Sequence, residues 1–226
     1  LADDYLIDSK SDNIDFHVHQ PKPAEAVFTA DAPWEGNTSG YYSLFQDGDV
    51  FRMIYRGWQH DPSDIRRVVH PEVVCLAESE DGIHWRKPSL GLIEFEGSTD
   101  NNIIWKGTGS HNFTAFKDSN PACTADARYK ALGSGKGGLF YFKSTDGVHW
   151  KIAEDEPVIT KGAFDSQNLA FWDPQEKQYR AYWRIFTGGV RAIRTATSQD
   201  FVNWEPHTDL VYPEGTPNQH LYTNAV

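Results

Sequence analysis

The chain has 226 residues, 14% of them aromatic with eight Trp, and a formal net charge of −11. That length supplies one substantial core, and the acidic balance argues against nucleic acid or an anionic membrane as the main partner. No run of 18 apolar residues occurs, so no membrane-spanning helix is expected.

Leu1-Ala2-Asp3-Asp4 does not read as a signal peptide, a leader being either already removed or never present. Residues 1–40, with Asp4 to Asp8 and Phe16 to His19, predict one or two extra strands. His17 and His19 alternate on one face, but no third ligand is spaced to join them around a metal. Next, β-rich runs bounded by Gly, Asp and Pro fall into units. The first has Tyr41 to Phe45, a turn at Asp47-Gly48-Asp49, Val50 to Arg56 and Glu72 to Glu78, and ends at Trp85. The second has Asn112 to Phe116, Tyr129 to Leu132 and Leu139 to Lys143, and ends at Trp150. The third has Asn168 to Trp172, Tyr179 to Arg184 and Val190 to Thr197, and ends at Trp204.

One short pattern closes each unit. Ser79 to Trp85, Ser144 to Trp150 and Ser198 to Trp204 all read S-x-D-x-x-[HN]-W. The Asp is expected to cap a turn through nearby backbone, and the Trp to pack between neighbouring units. A second repeat, out of phase with the first, places Asn112, Asn168 and Asn224 before apolar runs at intervals of 56 residues. Self-similarity at this period, with several strands per unit, predicts an all-β propeller of four-stranded antiparallel blades. Residues 41–85, 111–150 and 167–204 make three blades, and 221–226 begin a fourth. A propeller closes its ring to remove open edges, so the chain is expected to be part of a longer one.

The run from Ala192 into the S-x-D-x-x-x-W segment resembles blades of the five-bladed propeller glycoside hydrolases, the β-fructosidase, arabinanase and xylosidase group, over about residues 30–226. The N-D-P-N-G, R-D-P and E-C signatures of the β-fructosidase branch do not occur, which makes the chain a divergent member. The resemblance implies a five-bladed fold, a carbohydrate substrate, an axial funnel and carboxylates on the innermost strands. It also favours a secreted or periplasmic location and requires no cofactor, though a structural calcium ion is compatible with it.

In a propeller the residues leading into each innermost strand ring the axial pocket. That geometry selects Asp31 and Glu35 in unit one, His111 and Asn112 in unit two, Asp165, Gln167 and Asn168 in unit three, and Tyr222 and Asn224 in unit four. Amides, His and carboxylates suit a sugar, whose hydroxyls each need a donor and an acceptor. Glycoside hydrolysis needs two carboxyls across one bond, one protonated to donate and one ionised to attack or to activate water. Asp165 is the first candidate, Glu35 its partner and Asp31 the reserve; which is acid and which is base stays open. His111 is read either as a sugar ligand and proton carrier or as a loop residue, and the recurrent Asn residues either as ligands or as ring-wide structural amides. Arg56 and Arg184 end equivalent strands, to meet an acidic sugar or to pair with Asp165 or Glu35. Three functions compete: hydrolysis, binding without cleavage, and phosphorolysis.

Other signals are weaker. Cys75 and Cys123 read as buried thiols. Gly133 to Gly138 resembles a phosphate loop but lacks a following helix, and reads as a flexible hairpin loop. Ser98 to Asn102 reads as a turn that is polar enough to coordinate one ion.

Overall fold

The computed structural model describes residues 8–11, 13, 17 and 19–222. Apart from one short 3-10 turn, Ala125–Ala127, its regular structure is antiparallel strand in three sheets. The first sheet joins β1 (Gly40–Asp47), β2 (Val50–Asp61), β3 (Asp64–Ser79) and β4 (Trp85–Arg86), with β5 (Ile103–Lys106) also on β3. The second runs β6 (His111–Lys117), β7 (Tyr129–Gly135), β8 (Gly138–Ser144) and β9 (Trp150–Ile152). The third runs β10 (Leu169–Asp173), β11 (Gln178–Thr187), β12 (Val190–Ser198) and β13 (Thr208–Asp209). Each is a meander of sequential strands, the form of a propeller blade.

The innermost strands β1, β6 and β10 share one cavity of about 330 Å³, lined by Tyr42 to Leu44, Thr114 to Phe116, Gln167 and Leu169 to Phe171. The Gln167 side-chain amide donates to the Tyr42 carbonyl at 3.2 Å across it. The sheets are thus arranged radially, and apolar cores fill the wedges between them. Ile54, Val74 and Leu76 of the first blade pack on Phe113, Phe142 and Trp150 of the second. Leu132, Leu139 and Tyr141 of the second pack on Ala181, Trp183 and Trp204 of the third. The outer face of the first blade buries Met53, Tyr55 and Cys75 under Phe28, Trp34 and Phe95.

The closing motif acts as its residues require. Oδ1 of Asp81 accepts the backbone N–H groups of Ile83 and His84, both at 2.8 Å. Asp146 and Asp200 repeat the arrangement. Each Trp donates its indole N–H to the carbonyl three residues back, which fixes the ring for packing.

Several expectations need correction. Residues 19–39 contain no strand, and Phe28 and Trp34 within them pack on the outer face of blade one; much of 1–18 and Asn224 lie outside the described residues. Tyr222 is described and is not in a strand. Trp204 precedes its outermost strand by several residues, because Pro206 has no N–H to enter the ladder. The run Gly133 to Gly138 is not a flexible loop: all but Lys136 and Gly137 belong to β7 and β8. A Cβ on Gly133 would lie 2.1 Å from the Gly109 carbonyl oxygen, so glycine lets the segment before His111 press on the sheet. Both cysteines are free, Cys75 buried and Cys123 only half-buried.

Candidate functional site

At one end of the radial arrangement, His111 opens β6 between two carboxylates. Its Nδ1 lies 2.7 Å from Glu72 Oε1 and its Nε2 3.2 Å from Asp165 Oδ1. Glu72 comes from β3, in the middle of a β2–β3 hairpin that extends well beyond its neighbours. Asp165 comes from the segment leading into β10, and its side chain is 69% exposed. Two guanidiniums stand behind the acids: Arg56 is 3.9 Å from Glu72 and Arg184 is 3.6 Å from Asp165. Burial pushes the His111 pKa down, but the hydrogen bond and charge of Glu72, helped by Asp165, outweigh burial and raise it. The ring therefore holds its second proton above the usual histidine range and donates to both carboxylates.

Local backbone places these groups. Tyr41 and Asn112 are second residues of β1 and β6, and both take left-handed φ values, 54° and 53°. A β-bulge surrounds each, which re-aims the neighbouring side chains. Asn112 is fully buried and uses both ends of its amide. Its oxygen accepts from Arg56 at 3.1 Å and its nitrogen donates to the Ser166 carbonyl at 3.0 Å. Arg56 lies between two rings, 4.8 Å from Tyr41 and 5.0 Å from Trp58. Burial first, then the charge of Asp165, raises the Tyr41 pKa against Arg56 and Arg184, so the phenol stays protonated. Tyr222 stacks near Arg184 at 5.5 Å and Arg191 at 4.9 Å, and its ring is half exposed.

The structure brings together His111, Asn112, Asp165, Gln167, Asn168, Arg56, Arg184 and Tyr222. It does not bring Glu35 or Asp31 to them. Successive strand residues point to opposite faces: Arg56 turns toward the site and Tyr55 toward the outer core of blade one. Glu35 lies with Tyr55. It is fully buried and accepts from the Tyr55 hydroxyl, the Ala32 backbone at 2.7 Å and the Lys87 ammonium at 2.6 Å. Asp31 is exposed on the other side of the same Lys87, at 2.7 Å, whose hydrogen bond lowers its pKa. Asn168 is buried too and donates to the Phe164 and Ser166 carbonyls. Sequence reasoning missed Glu72, Tyr41 and Trp58.

Among the described residues no group of three or more His, Cys, Asp or Glu could hold a metal ion. In the Ser98–Asn102 turn, Asn101 and Asn102 are buried and spend their amides on the chain itself, on the Ile93 and Leu76 carbonyls and on Trp34 and Tyr55.

No family model matches the chain. Uncharacterized proteins of Mycobacterium tuberculosis strains CDC 1551 and H37Rv are each 25% identical over 149 residues. The match takes in 64% of this chain and 42% of theirs, so the chain spans less than half the length of these relatives. A solved structure, a glycosyl hydrolase from Bacteroides ovatus, aligns with a TM-score of 0.51 at 16% identity over 81% of this chain and 56% of that one. The fold is that of the glycoside hydrolase-like propellers. At such identity the likeness concerns architecture, and chemistry has to be argued from the residues.

Proposed function

We propose that the chain processes a glycoside, with Asp165 and Glu72 as its carboxylate pair and His111 as the proton-holding group between them. The observation that carries this reading is the His111 bridge. With both ring nitrogens on carboxylate oxygens, those oxygens are no more than about 8 Å apart, within the reach of glycosidase pairs at roughly 5 to 9.5 Å. Asp165 is the exposed member and faces the substrate. Glu72, more enclosed, anchors the imidazole and fixes its orientation. In hydrolysis the Asp165 carboxyl, protonated from His111, gives its proton to the leaving glycosidic oxygen as water attacks the sugar carbon and gives up its own proton to Glu72, from which His111 returns it to Asp165. The raised His111 pKa favours keeping a proton in the site.

A second reading, glycan binding without cleavage, is favoured by one feature: each carboxylate already faces a cation, Arg56 or Arg184 as well as His111. Hydrolysis of a glycan panel by wild type and Asp165→Asn separates the two. The proposal expects turnover of at least one glycoside by wild type and a loss of about 100-fold or more in the variant, with unchanged circular dichroism. Wild-type rates in Asp165→Asn would remove Asp165 from the chemistry; binding of a glycan that is never cleaved would establish the second reading.

A further inference from the structure

Seven buried side-chain polar atoms among the described residues lack a hydrogen-bond partner, and five of them belong to Arg56, Ser110, Asn168, Arg184 and Arg191. All five residues line or adjoin the cluster just described. Buried polar groups are otherwise nearly always satisfied, so a concentration of orphans in one place points to a missing partner. Four of the five are donors or hydroxyls, and three are guanidinium nitrogens.

Arg184 is the clearest case. Its side chain is 5% exposed. Nε donates to the Ala163 carbonyl at 3.0 Å, one terminal nitrogen lies 3.6 Å from Asp165, and the other terminal nitrogen has nothing. A distance of 3.6 Å exceeds a good hydrogen bond, so the outer edge of the fork is under-used on both prongs. Beside it, Arg191 shares the rings of Tyr222 and Phe186 and leaves its own Nε unpaired. Both rings are mostly exposed, at 53% and 60%, and give a sugar an apolar surface next to the charge.

The charges agree. Arg56 and Arg184 face Glu72 and Asp165, and Arg191, over the Tyr222 ring that Arg184 shares, adds a further positive charge beside them.

Resting on the glycoside reading above, we propose that the substrate is an acidic glycan, whose carboxylate or sulfate docks on the free edge of Arg184 beside Asp165. A planar guanidinium edge matches such an oxyanion bidentately. The anion is carried by the sugar rather than free, since a small dianion would meet Glu72 and Asp165 with no apolar contact to hold it, whereas a sugar rests on Tyr222 and Phe186.

The test measures binding by calorimetry to uronate-containing and sulfated oligosaccharides, to their carboxyl-reduced and desulfated counterparts, and to inorganic phosphate alone. At least one acidic ligand should bind about tenfold or more tighter than its neutral counterpart, and that preference should weaken with salt. Arg184→Met should abolish the preference and Arg184→Lys should restore part of it. The salt dependence needs no variant, so the proposal stays testable if Arg184→Met does not fold. A neutral glycan bound or cleaved as well as every acidic one would overturn the proposal and leave the glycoside reading standing. Phosphate binding that depends on Arg184, with no acidic preference, would also overturn it and make the anion a free co-substrate. Failure to bind or cleave any glycan would instead remove the glycoside reading.

Discussion

Glu35 offers the sharpest test of how side chains were sorted between fold and chemistry. Glu35→Gln keeps the shape and keeps an oxygen for the Tyr55 hydroxyl, but replaces the second oxygen by an NH2 group. That group faces two donors, the Lys87 ammonium and the Ala32 N–H, formerly at 2.6 and 2.7 Å. Orphaning the Ala32 N–H costs about 1–3 kcal/mol. Removing one member of a buried pair costs about 3–5 kcal/mol, an upper figure here because Lys87 keeps Asp31 and the Thr29 carbonyl. A loss of about 3 kcal/mol is expected, read from urea unfolding of the two proteins. Total stabilities of about 5–15 kcal/mol leave the variant folded, so its turnover per folded molecule can be compared with wild type and should be unchanged. Asp31→Asn, at an exposed position, should unfold with the wild type. The reasoning fails if Glu35→Gln is as stable as wild type yet inactive, for then the buried carboxylate would be doing chemistry.

Two further outcomes follow from the site. The folded-state pKa of His111 is raised, so its contribution to stability is present in full below its unfolded value of about 6.5 and is lost as pH rises through the folded pKa. His111→Gln should therefore destabilise most below about pH 6.5 and progressively less as the pH is raised, in thermal melts; a cost independent of pH would exclude the charged bridge. Gly133→Ala should destabilise by about 1–3 kcal/mol through overpacking against Gly109 and reduce activity by displacing His111, whereas Gly40→Ala, with open space around its Cβ, should do neither; equal unfolding midpoints for the two would contradict the close approach.

The blades were legible because each one ends in the same turn, whose Asp and Trp act locally and so leave a trace at fixed spacing. Asp165, His111, Arg56 and Arg184 lie in the entry segments and second strands that the repeat marks out, and the structure sets them side by side. Glu72 was not legible. The expected strands end at Arg56 and resume at Glu72, yet β2 and β3 run on past Arg56 through three register shifts and turn at Asp61–Asp64. The hairpin's continuation thus puts Glu72 opposite the site, where the sequence shows only the start of a strand. Glu35 failed for the opposite reason: its position in the chain matches a mouth residue, but the alternation of Tyr55 and Arg56 sends it to the other face. Which face a loop residue chooses depends on partners distant in sequence, here Lys87 and Tyr55.

The strained backbone shows why the site needs several blades at once. A non-glycine residue held at positive φ costs about 1–3 kcal/mol and persists only where its surroundings determine it. At Asn112 the surroundings are clear: its amide joins Arg56 of the first blade to the Ser166 carbonyl before the third, and Asn tolerates this conformation better than most residues. Tyr41 has no such aptitude, being bulky and aromatic, yet it holds φ at 54° with its ring over Arg56. What it gains is the enclosure of that guanidinium between two rings, which frees Arg56 to hold Asn112 and face Glu72. Each strained residue thus fixes a charge that the other blades use. A single blade supplies neither the bridge at His111 nor the arginines behind it, and loosening either bulge should disturb both carboxylates together.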